Sequence, residues 1–109
     1  MLTNSNSSEL FSAKTPIGFT IRTTANYWER IKSKHPEITG KEALVQECLE
    51  RPEMVRRSKQ DPRVYLFYRA SGKYFIAVIV KRLNQEGFII TSYLTDRAKE
   101  GESIWPVSK

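Results

Sequence analysis

The chain has 109 residues, a net charge of +6, 39% hydrophobic residues and 28% charged ones, enough for one modest core and ordinary for a soluble globular domain. No apolar run approaches the roughly 20 residues needed to cross a bilayer, and no basic start leads into an apolar stretch as in a secretory signal. The one cysteine, Cys48, excludes an internal disulfide and a zinc site built on several thiolates, and the cytoplasm is the expected compartment.

Residues 1–14 are rich in Ser and Asn and show no hydrophobic period, which predicts a mobile tail ahead of a single domain over 15–109. Gly18 to Thr23 alternates as a short strand with Phe19 and Ile21 on one face. Asn26 and Glu29 have the spacing of a capping box, predicting a helix from Tyr27 to about Lys34 that stops before Pro36. Trp28, Ile31 and His35 fall on one side of that helix. Thr39 and Glu42 predict a second helix running to about Arg51, with Leu44, Val45, Cys48 and Leu49 as its buried stripe. Cys48 reads as a small core residue rather than a nucleophile.

Met54 to Arg57 is a short strand or an extended connector, followed by a turn at Asp61-Pro62. Three antiparallel strands then fill Arg63 to Leu94, with Ala70-Ser71-Gly72 and Leu83 to Glu86 as hairpin loops. Ile104-Trp105-Pro106 is expected to fold back over an edge of the core. A strand, two helices and a run of strands mean an α+β fold in which both helices pack on one face of the sheet.

Alternation along the strands sorts the sheet into two surfaces. The simplest arrangement buries Leu66, Val78 and Ile90 beneath the helices. Tyr65, Phe67, Arg69, Lys81, Thr91 and Tyr93 then share the opposite face. Cations among aromatic rings suit single-stranded RNA, which needs charge for phosphates and flat surfaces for bases. Nine cations between Arg51 and Arg82 face only Glu53 and Asp61, a net +7 in that segment. Such asymmetry points to an anionic partner, nucleic acid before membrane.

The sequence has no glycine-rich phosphate loop, no nucleophile motif and no carboxylate cluster around a histidine; Asp96, Glu100 and Glu102 read as a solvated stretch. One imidazole, several cations and some hydroxyls suit metal-free cleavage of RNA, in which the substrate supplies the 2′-hydroxyl nucleophile. Histidine titrates near neutral pH, so His35 is the candidate general acid or base. Arg69 and Lys81 are candidates to bear the transition-state charge, and Thr91 or Tyr93 to bind the phosphate or orient the base.

The segments HPEI, LERPEMVRRS, DPRVYLFYR, YFIAVIVK and GFIITSYLTD resemble the phage-associated small nuclease-like proteins of the barnase–EndoU–colicin–RelE superfamily, over roughly His35 to Asp96. The resemblance implies N-terminal helices on a four- or five-stranded antiparallel sheet. It also implies a ribonuclease without metal or other cofactor, often a toxin restrained by an antitoxin or immunity protein. By this likeness the site holds His35 at the helix end, Arg56 or Arg57 after the second helix, Arg69, Lys81, Thr91 and Tyr93. Thr91-Ser92-Tyr93 stands where relatives show Thr-Ala-Tyr. Arg56, Arg57, Tyr65 and Phe67 are the expected nucleic-acid-binding residues. A non-catalytic RNA-binding or ribosome-associated module and a protein-interaction domain with a basic face are the alternatives.

Overall fold

A computed structural model of the chain describes residues 8–99 and 101–106. Seven strands form one sheet: β1 (Glu9–Lys14), β2 (Thr20–Thr24), β3 (Met54–Arg57), β4 (Val64–Ser71), β5 (Tyr74–Leu83), β6 (Glu86–Thr95) and β7 (Glu102–Trp105). Their spatial order is β1-β2-β6-β5-β4-β3-β7. All neighbours are antiparallel except β2 and β6. Two short helices, α1 (Ala25–Lys34) and α2 (Glu42–Glu50), flank a 3₁₀ turn at Pro36–Ile38. The expected two helices on a four- or five-stranded antiparallel sheet are therefore corrected to a mixed, mostly β fold, 48% strand and 22% helix.

The additional strands come from both ends of the described chain. β1 occupies Glu9–Lys14, inside the stretch expected to be a tail; residues 1–7 lie outside the described residues. Phe11 and Ala13 are its two inward residues, Ala13 fully buried and Phe11 meeting the edge of Trp28 with ring centroids 6.3 Å apart. Two residues are too few to establish a period in sequence. At the other edge β7 pairs with β3, and the Trp105 indole donates to the Pro52 carbonyl at 3.2 Å.

α1 begins two residues earlier than the capping-box pattern predicts: the Thr24 hydroxyl accepts the Tyr27 N–H at 3.1 Å, so Thr24 is the cap in place of Asn26. Neither end of the second pattern caps α2. Lys41 holds its N-cap position without a side-chain bond, and the Glu42 carboxylate accepts the Trp28 indole N–H at 3.0 Å. The expected stripe of α2 holds: Val45, Cys48 and Leu49 are fully buried, with Leu44 packed beside them. Burial pushes the Cys48 thiol pKa up, in keeping with an inert core residue.

Register decides which face of the sheet lies beneath the helices. Gly72-Lys73 is a two-residue hairpin loop, with Gly72 at φ 62°, and it pairs Ser71 with Tyr74. Phe67 then lies opposite Val78, and Tyr65 opposite Val80. The core beneath the helices contains Tyr65, Phe67, Ile76, Val78, Val80 and Ile89. Leu66, Tyr68, Ala77 and Ile79 face the other way. Relative to expectation β4 is turned over. A shift of one residue exchanges every side chain between faces, and the length of the loop sets that shift.

β6 carries the second decision. Its pairing with β5 steps at Ile79/Val80, so Val80 faces Ile89 while Ile79 faces Thr91, and Ile90 is the extra residue of a bulge. Without that step Thr91 and Tyr93 would point under the helices. With it they join Ile79 and Ala77 on the open face, while Ser92 turns inward and donates to the Ala77 carbonyl at 2.8 Å.

The open face is partly covered. The chain leaving β6 crosses it toward β7: Ala98 packs on Leu66, Tyr68, Ala77 and Ile79. The Lys99 N–H donates to the Tyr68 hydroxyl at 3.0 Å, and the Arg56 guanidinium donates to the Lys99 carbonyl at 2.7 Å. Among the described residues no helix is long and apolar enough to cross a membrane.

Candidate active site at the free edge of β6

β2 runs beside β6 only from Glu86 to Phe88. Beyond that point α1 and the 3₁₀ turn take the place of a strand. Tyr27, Arg30, Ile31 and Lys34 lie three and four residues apart, so they form one stripe of α1. Ile31 is buried, while Arg30 and Lys34 are exposed. The Tyr27 hydroxyl donates to the carbonyl of the bulge residue Ile90 at 3.0 Å. A groove of about 720 Å³ remains between helix and strand, bounded by Tyr27, Arg30, Lys34, His35, Ile90 and Thr91.

His35 stands where α1 ends. Its N–H still donates to the Ile31 carbonyl at 2.9 Å, but its backbone leaves helical geometry at φ −132°, ψ 74°, as the following proline demands. Pro36 opens the 3₁₀ turn, and the fully buried Ile38 anchors it. That short tether brings the imidazole against Tyr93, ring centroids 5.5 Å apart and planes at 41°. Nδ1 lies 3.5 Å from a Glu37 carboxylate oxygen, and the same oxygen accepts the Leu94 N–H at 3.5 Å. The carboxylate thus touches both the imidazole and the strand edge. Nε2 has no hydrogen-bond partner among the described residues, so it is the nitrogen free to exchange a proton with a ligand.

Tyr93 contributes a ring more than a hydroxyl. Its oxygen is buried without a hydrogen-bond partner, and burial raises the pKa of the phenol. The Lys99 ammonium lies 5.9 Å from the ring centroid, so His35 and Lys99 both contact this aromatic.

Of the residues expected to form one site, His35, Thr91 and Tyr93 come together. Lys81 shares their face but pairs with Asp61 at 3.5 Å. It also sits four residues along β5 from Ala77, the partner of Tyr93, a separation of about 13 Å along the strand. Arg69 is on the helix-covered side. Its guanidinium donates to the Arg51 carbonyl at 2.6 Å and lies 3.5 Å from Glu47, serving the C-terminus of α2.

Tyr65 and Phe67 are corrected from exposed base-stacking platforms to core residues, 6% and 0% exposed, because the hairpin register turns them inward. Arg56 is engaged with the Lys99 carbonyl. Arg57 stacks over Tyr65 at 5.4 Å, on the other side of the sheet from Thr91 and Tyr93. The +7 segment does not make one basic face.

The structure adds Glu37, Tyr27, Arg30 and Lys34 to the site. Their signals were present in the sequence: an acid two residues after His35, and a polar stripe at helical spacing leading to it. No three His, Cys, Asp or Glu side chains among the described residues are grouped to hold a metal ion. No protein-family model matches the chain, and no curated protein or solved structure is significantly similar to it.

Proposed function

We propose that the groove beside β6 binds single-stranded RNA and cleaves its backbone without a metal ion. The observation that carries this reading is the His35–Glu37 pair at the mouth of a groove whose wall presents Arg30 and Lys34, cations with no acidic partner among the described residues. In this reading His35 Nε2 takes the proton of the substrate 2′-hydroxyl while Glu37, 3.5 Å from Nδ1, orients the ring. The 2′-oxygen attacks phosphorus, the bond to the 5′-oxygen breaks, and that oxygen takes a proton from solvent water, the hydroxide left behind recovering the proton held by His35. Arg30 and Lys34 face the charge that builds on the phosphorane, with the Thr91 hydroxyl as a further donor. Tyr93 holds the imidazole by its ring.

The resemblance of residues to the nuclease-like family points to the same chemistry, on an architecture different from the one it implies. RNA as partner, the cytoplasm as compartment and restraint by an antitoxin or immunity protein belong to the same proposal. Lys81 and Arg69 take no catalytic part in it, being held by Asp61, Glu47 and the Arg51 carbonyl.

That loss of two expected cations favours a second reading, in which the groove binds RNA without cutting it. Incubation with RNA in the presence of a chelator separates the two. Cleavage predicts fragments ending in 2′,3′-cyclic phosphate. His35→Ala then lowers the rate by roughly 10²- to 10⁴-fold, the usual contribution of a positioned acid or base, and Lys81→Ala leaves cleavage of short substrates nearly unchanged. Undiminished cleavage by a folded His35→Ala variant rejects the assignment. Salt-sensitive binding without products supports the second reading.

A further inference from the structure

We propose that a second cleft, on the helix-covered side of the sheet beyond the reach of the helices, is a phosphate-binding site built from Arg57, Arg63 and Arg82. It lies where β4 begins and β5 ends, encloses about 710 Å³, and includes Tyr65 and Asn84 in its lining. It is separate from the His35 groove, and its occupation does not depend on any reaction there.

Two of the three guanidiniums are held in place before a ligand arrives. Arg57 lies 5.4 Å from the centroid of the Tyr65 ring, Tyr65 is 5.4 Å from Phe19, and Arg82 lies 4.7 Å from Phe19. The four planar groups form a continuous row with a cation at each end. Nε of Arg82 donates to the Asn84 carbonyl at 2.7 Å, which fixes the guanidinium on its ring and leaves the terminal nitrogens for a ligand. Nε of Arg57 is buried without a hydrogen bond: Glu102 is 3.4 Å away, but outside bonding geometry. With Nε beside that carboxylate, the terminal nitrogens of Arg57 are the ones left for a ligand.

Charge agrees. Asp61 lies 3.8 Å from Arg63 and 3.5 Å from Lys81, and Glu102 is near Arg57. Three guanidiniums line the cleft against two carboxylates, one of them shared with Lys81 on the other face, which leaves the cleft positive. Planar guanidiniums match phosphate in a forked geometry that ammonium groups lack. Phe19 and Tyr65 are 3% and 6% exposed, and the two guanidiniums lie against them. No ring is open to stack a base, so the ligand is recognised by its phosphate alone. That phosphate comes either from a polynucleotide backbone or from a small phosphorylated molecule.

The test follows the arginine Nε–Hε resonances of the full chain by NMR during titration with pyrophosphate and, separately, with octauridylate. Shifts of Arg57 and Arg82 with either probe establish the site. A response to octauridylate alone assigns it to a polynucleotide, and an equal response to pyrophosphate assigns it to small phosphorylated ligands. In the polynucleotide case the Arg57→Gln/Arg82→Gln double variant reduces the salt slope of RNA binding by about 1.4, two single-strand phosphate contacts. No shift at either arginine with millimolar amounts of both probes overturns the proposal. Because the wild-type resonances are the readout, a variant that fails to fold does not decide the outcome. A chain that shifts at these arginines but cuts no RNA removes the cleavage reading and leaves this one standing.

Discussion

The two halves of β6 have the same neighbour on one side and different ones on the other. From Glu86 to Phe88 the strand is paired by β2 as well as β5, and main-chain bonds satisfy its edge. From Ile90 to Leu94 it has β5 alone, and side chains from α1 and the 3₁₀ turn approach the free edge. The Tyr27 hydroxyl reaches the Ile90 carbonyl and the Glu37 carboxylate reaches the Leu94 N–H. The paired half is a closed piece of sheet. The other half gains a groove, because a helix lies farther from a strand than another strand does. Buried backbone groups need partners in both halves, but only in the second do the partners have chemistry of their own. The bulge at Ile90 stands at the changeover and aims Thr91 and Tyr93 toward His35.

The sharpest way to break this contrast is to remove the residue at the junction. Ile89 is fully buried, and Ile89→Ala is expected to destabilise the fold by about 2–5 kcal/mol in chemical denaturation. A smaller loss means the paired half is less tightly packed than described. Gly87→Ala tests the close approach of three strands in that half. A Cβ there would meet the Lys81 carbonyl oxygen at 2.6 Å and Ile21 Cδ1 at 3.0 Å. Because the first contact is backbone, the strands must move apart, at an expected loss of about 1–3 kcal/mol.

In the groove half the effects are smaller and local. Tyr27→Phe removes one hydrogen bond to the edge and should lower stability by about 1 kcal/mol, with faster amide exchange confined to residues 90–92. Global loss of protection would mean that the groove is not separable from the core. The smallest effect belongs to Asp61→Asn. The Arg63 backbone N–H, then the Lys81 ammonium, hold the Asp61 carboxyl below the usual carboxylate range. A depressed native pKa stabilises the fold above the unfolded value of about 3.9, and that contribution fades as pH falls through the native one. Wild type should therefore exceed the variant slightly in melting temperature at pH 7, with the gap closing on acidification through that range. A gap independent of pH would assign the difference to something other than this charge.

Much of the local structure was legible before folding was considered. The existence of two hairpins, the stop at Pro36 and the stripe of Val45, Cys48 and Leu49 are short-range facts, written in turn chemistry and in periods of two and 3.6 residues; the loops themselves are shorter than expected, Ala70, Ser71, Leu83 and Glu86 being strand residues. His35 could be placed at a helix end for the same reason. Phe19 and Ile21 share a face because neighbours two apart on a strand must do so. The strand β1, with two inward residues, was not legible, and neither was the partner of β2, which meets β6 only after both helices and three strands have intervened.

Which face of the sheet each side chain occupies was decided by tertiary structure alone. The two-residue loop at Gly72-Lys73 turned Tyr65 and Phe67 inward, and the bulge at Ile90 turned Thr91 and Tyr93 outward. Each is a shift of one residue, invisible to a pattern whose period is two until the partner strand is known. Amino-acid sequence determined the residues able to do chemistry and the elements that carry them. Register between distant segments determined which of them meet: His35 with Glu37, Thr91 and Tyr93 at one edge, and Arg57 with Arg82 across an aromatic pair at another.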